Sequence, residues 1–382
     1  MNFKGYKLEK LFIFINITRL FGIIFIWSLQ IILIYEKGLS YLLSESAVFM
    51  PIGLNITVIG TITVIKFNTI QYTIEYIRKL ISSHKESWEF DIVNNELKSA
   101  TKLVNIFKTF LYLFAIFYVI LPFVIDVIRA SLGYDNPYKV PLPLDGYLEK
   151  IIKRNSTYFI TAFLSYFWFM LTVTNYIAFQ SLVFYLVSYA NGEMKIIKRK
   201  FELLSDNGKI INNDWNLKSI IINHQRLIRL IELQKECVGM QLSFQNSISS
   251  GTLCLVLYLA NKSFSSDTIL FGFCSIFLIF LTVLFIIICN QGESIQSESE
   301  EMFTSICNTS WFTQKYHVKK DYNLIIMQAK RPLVYDYKGI SPINRAAFML
   351  VTIFFIISYH LLLFFFALYV PFFLIPNAMD YI

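Results

Sequence analysis

Seven stretches of this chain carry no charge and are long enough, or nearly so, to cross about 30 Å of hydrocarbon, which takes about 17–25 helical residues. They are Leu20–Tyr35, Ala47–Ile65, Thr109–Ile125, Tyr158–Tyr189, Leu242–Leu259, Thr268–Cys289 and Ala346–Phe373. A bilayer offers no water to unpaired backbone groups, so spans of this kind are helical. Composition agrees: 55% of residues are hydrophobic and 16% charged, against about 45–50% and about 25% in soluble chains. The same figures exclude disorder, collagen-like repeats and a secreted disulfide framework. The expected fold is an all-α membrane protein of seven transmembrane helices, one unit over residues 1–382.

The first stretch is short and can borrow from Leu11–Thr18, with Arg19 snorkelling to the interface. Lys4, Lys7, Lys10 and Arg19 are spread along the start with no small-residue cleavage site, so this stretch is expected to stay as a span. The fifth carries Ser243, Gln245, Asn246 and a Ser-rich patch from Ser247 to Thr252, a polar face that in lipid must point into a bundle.

Basic residues set the orientation. The N-terminus and the loops between spans 2–3, 4–5 and 6–7 carry 4, 7, 9 and 7 Lys/Arg, 27 in all. The other three loops and the C-terminal tail carry 1, 5, 1 and 0, which is 7 in all. This bias predicts a cytosolic N-terminus and an extracellular C-terminus. The net charge of +8 is thereby a topology signal, and no nucleic-acid partner is expected.

The basic loops have helical periodicity. Ile70, Ile74, Ile77 and Ile81 recur after span 2. Met194, Ile197, Phe201 and Leu204 follow span 4 and stop at the turn signal Asp206-Asn207-Gly208. Leu217, Ile220, Ile221, His224, Leu227, Ile228 and Ile231 precede span 5, and Ile295, Ser299, Met302 and Ile306 follow span 6. Each gives a narrow apolar seam on a charged helix. These helices are expected to extend into the cytosol and pack there as an anchor over about 66–105, 191–240 and 291–340, rather than lie on the membrane surface.

No catalytic arrangement emerges. His84, His224, His317 and His360 are isolated, and no His-Glu-x-x-His, Cys-x-x-Cys or phosphate-binding glycine loop occurs. Cys237, Cys254, Cys274, Cys289 and Cys307 all fall in spans or cytosolic segments, so no extracellular disulfide is expected. His224 reads as a packed core residue. Neither an enzyme, a cofactor nor a metal is expected.

The deep membrane is almost free of ionisable groups, which disfavours an ion-coupled transporter. Asp126 and Arg129, three apart at the outer end of span 3, can pair with each other. Aromatic and polar residues gather instead toward the outer halves of spans 2 to 6, among them Met50, Pro122, Phe163 and Tyr258. Such a lining suits a small, mostly apolar ligand fixed by few hydrogen bonds. The expected contacts are Phe49, Gly53, Tyr118, Ile125, Tyr158, Ala162, Tyr166, Phe271 and Cys274.

The C-terminal third carries the most specific pattern. Asn308-Thr309-Ser310-Trp311-Phe312 is followed by Leu324-Ile325-Ile326-Met327-Gln328-Ala329, Lys330-Arg331-Pro332-Leu333 and Tyr337-Lys338-Gly339-Ile340-Ser341. The last span runs from Phe348 through Ser358-Tyr359. In that order and spacing the chain resembles the insect odorant receptor family. The resemblance implies a receptor subunit that binds a small volatile and opens a non-selective cation channel for olfactory signal transduction. It also implies a tetramer with a co-receptor subunit, joined at the cytosolic anchor, in the plasma membrane of sensory dendrites. The family's short helix before the pore span corresponds to about Asp321–Arg331, ended by Pro332.

The resemblance places the outer pore constriction at Leu362, Phe365 and Phe366, counting on from Ser358-Tyr359. Residues at i, i+3 and i+4 share a helix face, and Tyr369 extends the stripe while Phe364 points nearly opposite. An apolar ring of this kind gates by dewetting. Gustatory receptors, the alternative reading alongside a small-molecule transporter, show Thr-Tyr, five residues, then Gln-Phe. This chain has Ser358-Tyr359, five residues, then Phe365-Phe366, which favours a tuning odorant-receptor subunit. A rhodopsin-like receptor would have the opposite topology and an outer disulfide.

Overall fold

The computed structural model describes residues 35, 49–131, 155–205, 214–263, 268–309, 311–313 and 316–336. Among these residues all regular structure is helical. In chain order the helices are α1 (Phe49–Ile65), α2 (Phe67–Ser83), α3 (Ser87–Ser131), α4 (Asn155–Ser205), α5 (Asp214–Gln234), α6 (Met240–Ser263), α7 (Thr268–Cys307) and α8 (Tyr316–Ala329). A π-turn (Lys235–Gly239) joins α5 to α6, and a 3-10 turn (Trp311–Thr313) precedes α8. Five of the seven expected spans fall on these helices. The last, with Leu362, Phe364, Phe365, Phe366 and Tyr369, lies outside the described residues, as does nearly all of the first. Helical stretches within Ser87–Phe117 and Cys274–Cys307 are by length and composition apolar enough to cross a membrane.

The helices outrun the hydrocarbon. α4 has 51 residues, about 76 Å at 1.5 Å per residue, and α3 and α7 have 45 and 40. Each begins or ends in an apolar segment and continues into a charged one. Two apolar clusters result. One is built around Phe107, Phe184, Val256, Phe277 and Phe280 in the apolar half of the rods. The other, in the charged half, gathers Ile70, Met194, Ile197, Phe201, Leu204, Leu217, Ile220, Leu227, Ile231, Ile295, Met302, Ile306 and Tyr322. The apolar seams therefore face one another, and Ile74, Ile77, Ile81 and Ile221 pack against the same cluster.

Ion pairs tie the charged half across helices. Lys195 on α4 reaches Glu96 of α3 at 2.7 Å and Glu298 of α7 at 3.1 Å, and Lys198 pairs Glu301 at 2.7 Å. Burial works against the Lys195 ammonium, but its two carboxylates overcome this and hold its pKa above the ordinary value. Glu89 of α3 pairs Lys200 and accepts from the Lys85 and Glu86 amides, the returning arm of a capping box. Burial alone would raise the Glu89 pKa; these partners bring it below the ordinary value. α4 packs closely on α3 at Gly192, where a Cβ would just reach van der Waals contact with Val93 Cα at 3.4 Å.

α8 starts at Tyr316, five residues before the expected Asp321, and ends at Ala329. Its Tyr322, Ile325 and Ala329 are buried. Pro332 disfavours helical backbone at Arg331, which helps to stop it there.

Candidate functional site

The first half of α1, the second halves of α3 and α6, and the first halves of α4 and α7 belong to the end of the bundle that is poor in charge. The expected ligand contacts sit on these segments: Phe49 and Gly53 on α1, Tyr118 and Ile125 on α3, Tyr158, Ala162 and Tyr166 on α4, Phe271 and Cys274 on α7. The side chains of the first seven lie outside the described residues. Phe271 and Cys274 lie in one packed apolar wall of the bundle. Cys274 is buried and Phe271 half-buried in the apolar cluster that also holds Tyr258, Leu255, Met170 and Phe277. Phe163 is largely exposed and takes no part in this wall. It falls on the outer face of α4, an orientation that aromatic content alone does not reveal.

Below that wall α3 and α7 are joined by stacked rings. Phe114 lies over Phe280 with centroids 3.5 Å apart and over Phe277 at 5.5 Å, and Phe110 stacks on Phe280 at 5.0 Å. Such pairs contribute about 0.5–1.5 kcal/mol beyond area burial. Their spacing, i and i+4 on α3, i and i+3 on α7, is legible in the sequence as two apolar stripes; that the stripes meet is not.

The polar face of α6 points inward. Gln241, Gln245, Asn246, Ser250 and Thr252 are buried, whereas Ser247 is exposed. Gln180 Nε2 donates to Gln245 Oε1 at 2.8 Å, and Gln245 Nε2 donates to Tyr176 Oη at 2.7 Å. This chain of uncharged groups links α4 to α6 and was not among the sequence-derived contacts. Its signal was present in Gln245, but its partners on α4 follow from tertiary packing. None of the five cysteines forms a disulfide. His224 is 2% exposed, and burial depresses its pKa to about 4, so it is a neutral core residue.

The described side chains of these segments are apolar and aromatic with isolated hydroxyl, thiol and amide groups, the composition that a small, mostly apolar ligand calls for. Among the described residues no cluster of His, Cys, Asp and Glu suits a metal ion. No curated protein matches the chain. Its fold is similar to that of the insect olfactory receptor OR5 from Machilis hrabei, with a TM-score of 0.67 and 11% identity over 92% of this chain and 87% of that one. A structure of the same receptor in complex with eugenol gives a TM-score of 0.57 and 12% identity, covering 88% of this chain and 87% of that chain. The family model described as 7tm Odorant receptor matches residues 49–356. With most of its length matched and its fold shared, the chain belongs to the insect odorant receptor family of membrane proteins.

Proposed function

We propose that the chain is a tuning subunit that binds a small volatile in the charge-poor half of the bundle and, with a co-receptor subunit, opens a non-selective cation channel. The match across residues 49–356 carries this reading. The aromatic wall around Phe271 and Cys274, served by few polar groups, supports a mostly apolar ligand; the receptor from Machilis hrabei is known with eugenol. The same reading makes the chain a receptor and not a catalyst. The charged half of the bundle lies in the cytosol as the anchor where subunits meet, and the C-terminus is extracellular. The last span lines the pore through Leu362, Phe365, Phe366 and Tyr369. The receptor works in the plasma membrane of a sensory dendrite.

The test is electrical. Cells expressing the chain with a co-receptor subunit should show inward cation currents to some members of a volatile panel, and cells expressing either subunit alone should lack that response profile. Surface-localised complexes that stay silent to the whole panel would refute the channel reading.

A further inference from the structure

Asp214–Ser263 forms one rod whose middle is not α-helical. Gln234 (φ −63°, ψ −43°) and Met240 (φ −62°, ψ −45°) bracket the π-turn with ordinary helical backbone, so the turn holds a surplus residue inside a continuous helix. Redistributing that residue rotates everything beyond it by about 100° and shifts it by about 1.5 Å.

Two groups of bonds lie at or beside this turn, reaching it through Gln234, Lys235 and Cys237. On one side is the strap of residues 330–336, which follows α8 and leads toward the last apolar stretch. Tyr335 Oη donates to Gln234 Oε1 at 2.6 Å, Asp336 pairs with Lys235, and the Leu333 amide donates to Ser299 Oγ at 3.0 Å. On the other side, Cys237 Sγ lies 3.0 Å from Thr73 Oγ1, and Gln245 leads through Gln180 and Tyr176 into the wall of the candidate ligand site.

Burial around the turn is not confined to one stripe. Along α5 the buried stripe is narrow, but from Leu230 to Leu242 two adjacent faces are buried, including Leu230, Leu233, Cys237, Val238 and Gln241. Polar atoms are also left over: Gln180 Oε1, Ser243 Oγ and Asn246 Oδ1 are buried without a hydrogen-bond partner. Gln180, Leu242 and Tyr335 line one cavity of about 10 Å³, close to the room one water needs. Asn246 follows Gln245 directly, so a one-residue step carries a second amide to the face that meets Gln180. Unpaired buried amides are costly, and a second register gives them a use.

We propose that the π-turn Lys235–Gly239 is a register switch, in which rotation of α6 is converted into tightening or release of the 330–336 strap. Its role in gating rests on the channel reading above; the switch itself does not.

Deleting Glu236, whose side chain is largely exposed and pairs only weakly with Lys66 at 3.9 Å, removes the surplus residue; Glu236→Ala keeps it. Hydrogen exchange on the purified chain should show strap amides, Leu333 above all, exchanging about tenfold faster or slower in the deletion variant and unchanged in Glu236→Ala. Tyr335→Phe should speed strap exchange by about fivefold or more and decides the question if the deletion variant fails to fold. Strap exchange unmoved by the deletion, or by Tyr335→Phe where only that variant folds, overturns the switch. With the co-receptor subunit, the deletion should also shift the half-maximal volatile concentration about tenfold or abolish the response. A wild-type dose-response in a surface-localised deletion variant with altered exchange would overturn the gating role, whereas silence of the wild type counts against the channel reading.

Discussion

His224 makes folding stability depend on pH in a calculable way. It sits on α5 in the seam with Ile220 and Leu227, 2% exposed, and its buried Nδ1 has no hydrogen-bond partner. Desolvation depresses the folded-state pKa from 6.5 to about 4. As pH falls, the unfolded imidazole takes up a proton near 6.5 while the folded one stays neutral until about 4. The unfolded state therefore binds more protons across this window, and stability falls as pH falls. At about 1.36 kcal/mol per pKa unit the loss approaches about 3 kcal/mol by pH 4. At roughly 1–2 °C per kcal/mol for a chain this long, that is about 3–6 °C in the thermal midpoint. The assay is thermal unfolding in detergent by tryptophan fluorescence, from pH 7.5 to 4, for wild type and His224→Leu. All other ionisable groups are present in both proteins, so the difference isolates His224. The variant should match or exceed wild type at pH 7.5, and its advantage should widen by about 3 kcal/mol toward pH 4. Parallel curves would refute the reasoning.

Lys195→Met should cost about 1–2 kcal/mol, less than a fully buried pair because the ammonium is partly exposed; adding Glu298→Gln should recover part of the lost thermal midpoint, and no recovery would mean the lysine acts through packing alone. A glycosylation acceptor inserted near Asn136 should be modified and one near Asn207 should not, as the 27:7 distribution of basic residues requires; modification near Asn207 inverts the topology. In the channel, Leu362→Ser or Phe366→Ser should raise resting leak or change relative cation permeability, while Phe364→Ser should act on expression. Equal permeation phenotypes at Phe364 and Phe366, with both at the surface, would remove this assignment of the pore face.

Periodicity made the seams readable. Met194, Ile197, Phe201 and Leu204, and Ile295, Ser299, Met302 and Ile306, are all buried where a 3.6-residue repeat puts them. The start of α8 was not readable, because Tyr316-His317-Val318-Lys319-Lys320 shows no apolar repeat. The π-turn was hidden for the opposite reason. Leu217, His224, Ile231, Val238 and Gln245 continue at sevenfold spacing straight through it, so the pattern looks like unbroken helix. Ion pairs such as Lys195 with Glu96 join residues about a hundred positions apart, and only helix packing decides which charges meet. That Phe271 and Cys274 pack into the apolar cluster was legible because they begin an apolar span beside an aromatic stripe.

The unbroken rods α3, α4 and α7 have no loop where hydrocarbon would give way to water. With the span bounds expected from the sequence, the boundary on α4 falls on a few residues of one helix, from Tyr189 through Asn191 to Lys195. Asn191 Nδ2 is held there by Ser294 Oγ of α7 at 3.0 Å, and Lys195 by its two carboxylates. A thicker bilayer would draw these groups toward the acyl chains, and a thinner one would strand apolar turns in the headgroups, each at a fraction of a kcal/mol per Å of mismatch. Tilting of the rods takes up part of that load, and the rest falls on the charged ties. Sterol content and acyl-chain length thereby become determinants of stability, and the same receptor should differ in heat resistance between cell types whose membranes differ by only a few Å.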